Sequence, residues 1–449
     1  MHEVEVLLGR LRQHAGETAL IWRDEPFTCG WLASEVDRQS VALEEMGVAA
    51  GTVVMLQAEY SPVAAALLIA LCRLRAIAAP LLPSTVRRSH EIPAIVDPAM
   101  IVAVDERQGV TCTTASPGAP HPLIQRLRGD GESGLILFTS GSTGEPKGVV
   151  HSFTRLLRKF TAPRPALRTI AFLLFDHWGG LNTLLHALYN LSPLVLPERR
   201  TPEYICELLE RHRIELLPAS PTFLNLLLLS KVYKNHDLDS LRVISYGSEP
   251  MLASTLRGLR AAFPDVELRQ TYGLIELGVL RAKSEASDSL WVKLGGEGYD
   301  LRVVDGLLQI RASSAMLGYL NAESPITDDG YFMTGDRVEV KDDFFRLLGR
   351  DSELINVGGQ KVFPAEVEGV LLDDPDVLDA VVYGESHPIT GRIVCADVKV
   401  AGPVDDREYR MRLKRFCSER LDGFKVPVKI RFVTHDLHGD RLKRQRRRG

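Results

Sequence analysis

Short β-branched apolar runs alternate with helix-like stretches along most of this chain, and that alternation constrains the fold more than any other feature. Val53 to Gln57 reads as a strand, with a helix over Pro62 to Leu74 behind it. Ile214 to Ala219 reads as a buried strand, Ser220 and Pro221 suit an N-cap and first helical turn, and Thr222 to Leu229 continues as an apolar helix. The pattern then repeats: Leu241 to Tyr246 is a strand, Gly247 to Pro250 a turn, and Met251 to Phe263 an amphipathic helix. This arrangement implies parallel α/β sheets with helices packed on their faces. Beyond Trp291 the texture changes to short strands with Gly and Asp turns, over Leu301 to Val304, Leu308 to Ala312 and Phe344 to Leu348. That stretch reads as a small β-barrel-like subdomain. The last hundred or so residues return to mixed α and β. A Gly-Arg-Asp turn at Arg350/Asp351 marks the boundary, giving a large domain over 1–350 and a small α+β domain over 351–449.

Composition narrows the function. With 449 residues, 45% of them hydrophobic, the chain can bury several cores, and a formal net charge of −4 favours neither nucleic acid nor an anionic membrane as partner. The six basic residues within Arg441 to Arg448 read as a solvated chain end. The six cysteines are scattered, with no CxxC pair, which is cytoplasmic usage. Glu3 and Glu5 stand where a signal peptide would be basic and then apolar. The most apolar run, Val63 to Cys72, is about half a membrane span and is closed by Arg73 and Arg75, so it reads as a buried helix rather than a span.

The sharpest local feature is Leu135-Ile-Leu-Phe-Thr139-Ser140-Gly141-Ser142-Thr143-Gly144-Glu145-Pro146-Lys147-Gly148, an apolar strand running into hydroxyls, glycines and one lysine. Such a loop suits a polyphosphate: glycines let backbone N–H groups approach, hydroxyls donate or reach Mg²⁺, and the lysine adds charge. The spacing of an ordinary P-loop is not met, because Lys147 follows Pro146 and precedes Gly148.

With that loop, the chain resembles the adenylate-forming superfamily of acyl- and aryl-CoA synthetases, peptide-synthetase adenylation domains and luciferases. Four further stretches match in order. Gly247-Ser248-Glu249-Pro250 is similar to the family's adenine-side turn, and Thr271-Tyr272-Gly273-Leu274-Ile275-Glu276 to its Tyr-Gly-x-Thr-Glu motif. Thr334-Gly335-Asp336 resembles the ribose-binding segment, and Gly349 through Glu368 the hinge and opening of a mobile C-terminal domain. The resemblance implies that Thr139 to Gly144 and Lys147 hold phosphate and that Glu276 and Thr143 hold Mg²⁺. It further implies that Gly247, Ser248, Glu249 and Tyr272 flank adenine, that Asp336 binds ribose and that Arg350 supports it. Asp351 is then the hinge, and Gly358 and Gly359 line the thiol tunnel. Two departures stand out: Ile275 replaces a hydroxyl residue, and the C-terminal catalytic lysine aligns with Lys443 only if one position is deleted.

The acyl pocket implied by the resemblance contains His177, Trp178, Gly179, Phe223, Tyr246, Thr271 and Gly278. His177 stands where amino-acid-activating relatives place an aspartate, which suits an uncharged acyl or aryl acid; a one-residue slip to Asp176 restores an amino acid. The implied activity is conversion of a small-molecule carboxylic acid and ATP to acyl-AMP and pyrophosphate, then transfer to a thiol. No carrier sequence follows the C-terminal domain, so coenzyme A is the expected acceptor, with the phosphopantetheine of a separate acyl carrier protein as the alternative. A nucleotide-binding protein that has lost catalysis stays open on the strength of Ile275 and the altered lysine motif.

Overall fold

The computed structural model describes residues 3–139, 145–296, 298–402 and 406–439. Among them are three seven-stranded sheets and one of five strands.

The first sheet is built on the parallel strands Val53–Gln57, Ile77–Leu81, Met100–Val104 and Gly134–Thr139. Alternate residues of its central strands enter different cores. Val54, Leu56, Leu135 and Leu137 pack into one, and Val53, Met55, Ile136 and Phe138 into the other. Burial on both faces is why these strands read as unbroken apolar runs. The helix Pro62–Arg73 lies in the first core, started by Ser61, whose side chain accepts from the Ala64 N–H at 3.3 Å, and buried along Pro62 to Cys72. This is the run expected to be a buried helix, and among the described residues no helix is long and apolar enough to cross a membrane.

The second sheet carries Leu216–Ala219, Val243–Tyr246 and Glu267–Gln270 side by side in parallel, so the ends of consecutive strands emerge along one edge. Neither sheet is purely parallel. The strands Gly134–Thr139 and Lys147–Ser152 form an antiparallel hairpin closed by the pair Thr139 and Lys147. The glycine-rich stretch therefore joins two paired strands, not a strand and a helix.

The third sheet is antiparallel throughout and runs from Tyr272–Leu274 to Tyr299–Val304. Its strand Phe344–Arg350 ends where the sequence change places a boundary, and a 3-10 turn over Asp351–Glu353 follows. Residues from Ile355 to Ile430 close a separate core around the fourth sheet. This small unit touches the rest through an Arg257 to Asp373 ion pair at 2.8 Å and a bond from Asn225 Nδ2 to the Leu378 carbonyl at 3.4 Å.

Candidate active site

Strand register brings the scattered motifs together. In the hairpin of Phe332–Lys341 and Phe344–Arg350, Asp336 stands directly opposite Arg350, and their side chains meet with Nε to Oδ1 at 2.7 Å. The other carboxylate oxygen accepts from the Tyr272 hydroxyl at 2.6 Å. Arg350 also donates to the Thr334 carbonyl at 2.8 Å, and the Thr334 hydroxyl accepts from the Asp336 N–H at 3.0 Å. Burial raises the Asp336 carboxyl above its ordinary range, against the opposing pull of the Arg350 guanidinium and the Tyr272 hydroxyl. Burial, reinforced by Asp336, likewise raises Tyr272 well above the usual phenol range, so its hydroxyl stays protonated and donates.

A second cluster adjoins it. Glu276 Oε1 accepts from the Tyr319 hydroxyl at 2.7 Å, and Lys147 Nζ sits 5.4 Å from the centroid of the Tyr319 ring. Asn321 clamps the foot of the glycine-rich hairpin, donating to the Pro146 carbonyl at 2.9 Å and accepting from the Gly148 N–H at 3.0 Å. The Glu276 charge reaches both Asp336 and Arg350, so the two clusters form one electrostatic unit. Sequence reasoning missed Tyr319 and Asn321; the available signal was the Gly-Tyr-Leu-Asn stretch at 318–321, a turn-like segment with one aromatic.

Ser140, Gly141, Ser142, Thr143, Gly144 and Lys443 lie outside the described residues. Among the described residues no group of three or more His, Cys, Asp or Glu could enclose a metal ion. The single carboxylate of Glu276 instead fits Mg²⁺, which is commonly held by one or two carboxylates together with substrate phosphates and water.

The turn expected on the adenine side, Gly247 to Pro250, is tightly built. Gly247 approaches Thr271 so closely that a Cβ on it would stand 2.4 Å from the Thr271 hydroxyl, while Thr271 donates through its N–H and hydroxyl to the Tyr246 carbonyl at 2.7 and 3.0 Å. Ser248 holds a left-handed φ of 72°. Glu249 turns toward the helix Pro221–Ser230 and accepts from the Thr222 N–H at 3.0 Å, a carboxylate at a helix N-terminus.

Of the residues expected in the acyl pocket, two also have clear roles in the fold. His177 caps the helix Trp178–Tyr189, its Nδ1 accepting from the Gly179 N–H at 3.1 Å, and the fully buried Phe223 packs on Phe172 with ring centroids 4.3 Å apart. Trp178 is buried beside Gly278, whose φ of 81° permits the turn after Glu276; a Cβ there would stand 3.2 Å from Trp178 Nε1. Trp178 stacks on His151 with centroids 6.3 Å apart. His151 Nε2 donates to the Ile275 carbonyl at 2.7 Å, so Nδ1 carries the lone pair, and burial pushes the imidazole pKa down to about 4. Ile275 thus offers its main chain to His151 while its side chain is buried. Among the described residues, buried polar atoms without a hydrogen-bond partner include His151 Nδ1, Trp178 Nε1, Thr222 Oγ1 and Tyr246 OH.

At the small unit, Arg337 Nε holds Asp351 Oδ1 at 2.6 Å. Gly358 and Gly359, with φ of 57° and 90°, form the exposed turn of the hairpin Ile355–Val357 and Gln360–Val362, where an added Cβ would meet nothing within 4 Å.

Residues 9–306 match the AMP-binding enzyme family, and residues 366–441 match the AMP-binding enzyme C-terminal domain. A 2-succinylbenzoate–CoA ligase from Bacillus licheniformis is 31% identical over 376 residues, covering 77% of this chain and 73% of that protein. An indoleacetate–CoA ligase from Aromatoleum aromaticum is 26% identical, covering 93% and 91%. The solved anthranilate CoA ligase AuaEII, in complex with anthranoyl-AMP, superposes with a TM-score of 0.80 at 21% identity, covering 98% of this chain and 95% of that one.

Proposed function

The chain belongs to the AMP-binding enzyme family, and we propose that it joins a carboxylic acid to the thiol of coenzyme A through an acyl-adenylate. The observation that carries this reading is the gathering of Lys147, Tyr319 and Glu276 with Tyr272, Asp336 and Arg350 into one electrostatic cluster. In the first step a carboxylate oxygen of the acid attacks the α-phosphorus of ATP, the bond to the bridging oxygen breaks, and pyrophosphate leaves with that electron pair. Two anions must approach each other, so positioning and positive charge are what the protein supplies. Asp336 receives the ribose hydroxyls on the lone pairs that Arg350 and Tyr272 leave, and their bonds fix the carboxylate in place beforehand. Tyr272 lies beside adenine. Lys147 and the hydroxyls of the glycine-rich hairpin meet the phosphates. Glu276 and Thr143 would hold Mg²⁺, which would supply positive charge beside the phosphates. In the second step the thiol sulfur attacks the acyl carbonyl and AMP departs.

The similar ligases are named for 2-succinylbenzoate and indoleacetate, which supports an aryl-bearing acid here. The domains are 1–350 and 351–449, the second turning about Asp351 between the two steps and carrying Gly358 and Gly359 to the thiol's path. The purified protein with ATP, Mg²⁺ and a suitable acid is expected to exchange pyrophosphate before any thiol is present. A strict requirement for thiol would refute the two-step order. Asp351→Pro is expected to keep adenylation and lose thioester formation. Arg350, with ψ of 137°, already occupies the region a residue before proline adopts, so the change restricts turning with little local strain. Equal loss of both activities would refute the hinge.

A further inference from the structure

Two charges in a row on one strand meet two in a row on the next. Asp336 and Arg337 are neighbours in the strand Phe332–Lys341, while Arg350 ends the strand Phe344–Arg350 and Asp351 opens the turn Asp351–Glu353. Asp336 pairs with Arg350 inside the hairpin, and Arg337 Nε pairs with Asp351 Oδ1 at 2.6 Å across the boundary between the two units. Successive residues of a strand point to opposite faces. Here the ladder shifts register between Arg337 and Val338, an irregularity of the kind that bends a strand and re-aims its side chains.

The two partners of the second pair are held unequally. Arg337 Nη1 donates to the Asp305 carbonyl at 3.0 Å, in the turn between Tyr299–Val304 and Leu307–Ala312. That turn is close-set: Asp305 and Gly306 have φ of 51° and 76°, and a Cβ on Gly306 would stand 3.2 Å from the same nitrogen. The Val338 N–H also donates to the Gly306 carbonyl at 3.0 Å, so the turn grips the strand beside the guanidinium. The Arg337 side chain is 17% exposed against 47% for Asp351. Asp351 begins a turn with no buried residue, closed by the Leu354 N–H donating to the Asp351 carbonyl at 3.2 Å. Rotation at ψ of Arg350 or φ of Asp351 swings the carboxylate away while Arg337 stays in place. The other ties between the units are looser: an ion pair between the exposed Arg257 and Asp373, and the 3.4 Å bond from Asn225 to the Leu378 carbonyl. A pair with one partner covered is screened less than one at the open surface.

Resting on the reading of Asp351 as the hinge, we propose that Arg337 is a positioning residue for that hinge. Its pair with Asp351 holds the small unit in the arrangement that leaves Gly358 and Gly359 in solvent, and opens when the unit turns for thiol transfer. The pair favours adenylation over thioester formation by as much as it differs between the two arrangements.

The test uses the full chain with ATP, Mg²⁺ and whichever of a panel of aryl acids wild type exchanges best; a second assay supplies that acid's acyl-AMP with coenzyme A. Arg337→Met is expected to lower the ratio of adenylation rate to thioester-forming rate by about three- to tenfold, with KM for ATP unchanged. Asp351→Asn should do the same, the double variant should lose no more than either single one, and Arg337→Lys should retain part of the ratio. Hydrogen exchange at the Leu354 amide should quicken in Arg337→Met while the strands Tyr299–Val304 and Leu307–Ala312 keep their protection. Equal change in both half-reactions, or additive losses in the double variant, overturns the proposal. If wild type adenylates no acid and binds no ATP, the adenylating reading fails on its own account; unchanged exchange at Leu354 would still overturn the hold of Arg337 on the turn.

Discussion

The proposed nucleotide side and the proposed acyl side of the site are built on opposite plans. On the first, Asp336, Arg350, Tyr272, Glu276 and Tyr319 hold one another before any ligand arrives. On the second, His151, Trp178, Thr222 and Tyr246 each bury a polar atom with no protein partner. A buried polar atom left unpaired costs about 1 to 3 kcal/mol, so the acyl wall is held at the expense of stability. The difference teaches where selectivity resides. On the proposed assignment, a nucleotide common to many enzymes is met by a preassembled frame, and the acid by groups whose bonds it would complete on binding.

The largest effect expected on the first side comes from Lys443, aligned with the lysine that bridges the acid carboxylate and the α-phosphate. Lys443→Ala should slow adenylate formation by about 10²- to 10³-fold, roughly 3 to 4 kcal/mol, while sparing thioester formation from supplied acyl-AMP. Arg441→Ala and Arg444→Ala are the controls. If either abolishes adenylation while Lys443→Ala is silent, the alignment is off by a position or two. If all three are silent, the preassembled frame binds nucleotide without promoting the reaction.

A smaller effect marks the acyl side. His151 is neutral in the fold, with its pKa near 4 against an ordinary 6.5, so the unfolded chain binds the proton first as pH falls. Its contribution is present above about 6.5 and is lost progressively down to about 4, by roughly 3 kcal/mol. Urea unfolding at pH 7.5 and 4.5 should show wild type losing about 2 to 3 kcal/mol more than His151→Gln, since carboxylates affect both alike. Equal losses would mean that His151 is solvated or paired, and the contrast between the two sides would weaken.

The two plans also differ in how far sequence reveals them. Tyr272, Glu276, Asp336 and Arg350 were legible because each lies in a short motif, and pairing along one hairpin brings Asp336 to Arg350. Most of the strands and the buried Pro62–Arg73 helix were legible for a similar local reason, since two-sided burial leaves unbroken apolar runs. The antiparallel return of the glycine-rich hairpin was not, because apolar runs carry no sign of strand direction. Nor did motif position show that His177 starts a helix as its cap or that Phe223 packs on Phe172 in the core, since both contacts depend on how the chain folds around them.

Two tyrosines give the finest test of the contrast, because the same deletion of one oxygen should have opposite consequences. Tyr272→Phe removes a donor to a buried carboxylate, which should destabilise the free protein by about 1.5 to 3 kcal/mol and weaken ATP binding as Asp336 loses its orientation. Tyr246→Phe removes a buried hydroxyl that bonds to nothing, so the free protein should be unchanged or gain up to about 1 kcal/mol. If the acid completes that hydroxyl's bond, KM for the acid should rise several-fold while KM for ATP stays put. Thermal unfolding with and without ligands, alongside pyrophosphate exchange, separates the effects. Equal destabilisation by the two substitutions would show that Tyr246 already has a partner in solution, such as an ordered water, and that the acyl side is as fully satisfied as the nucleotide side.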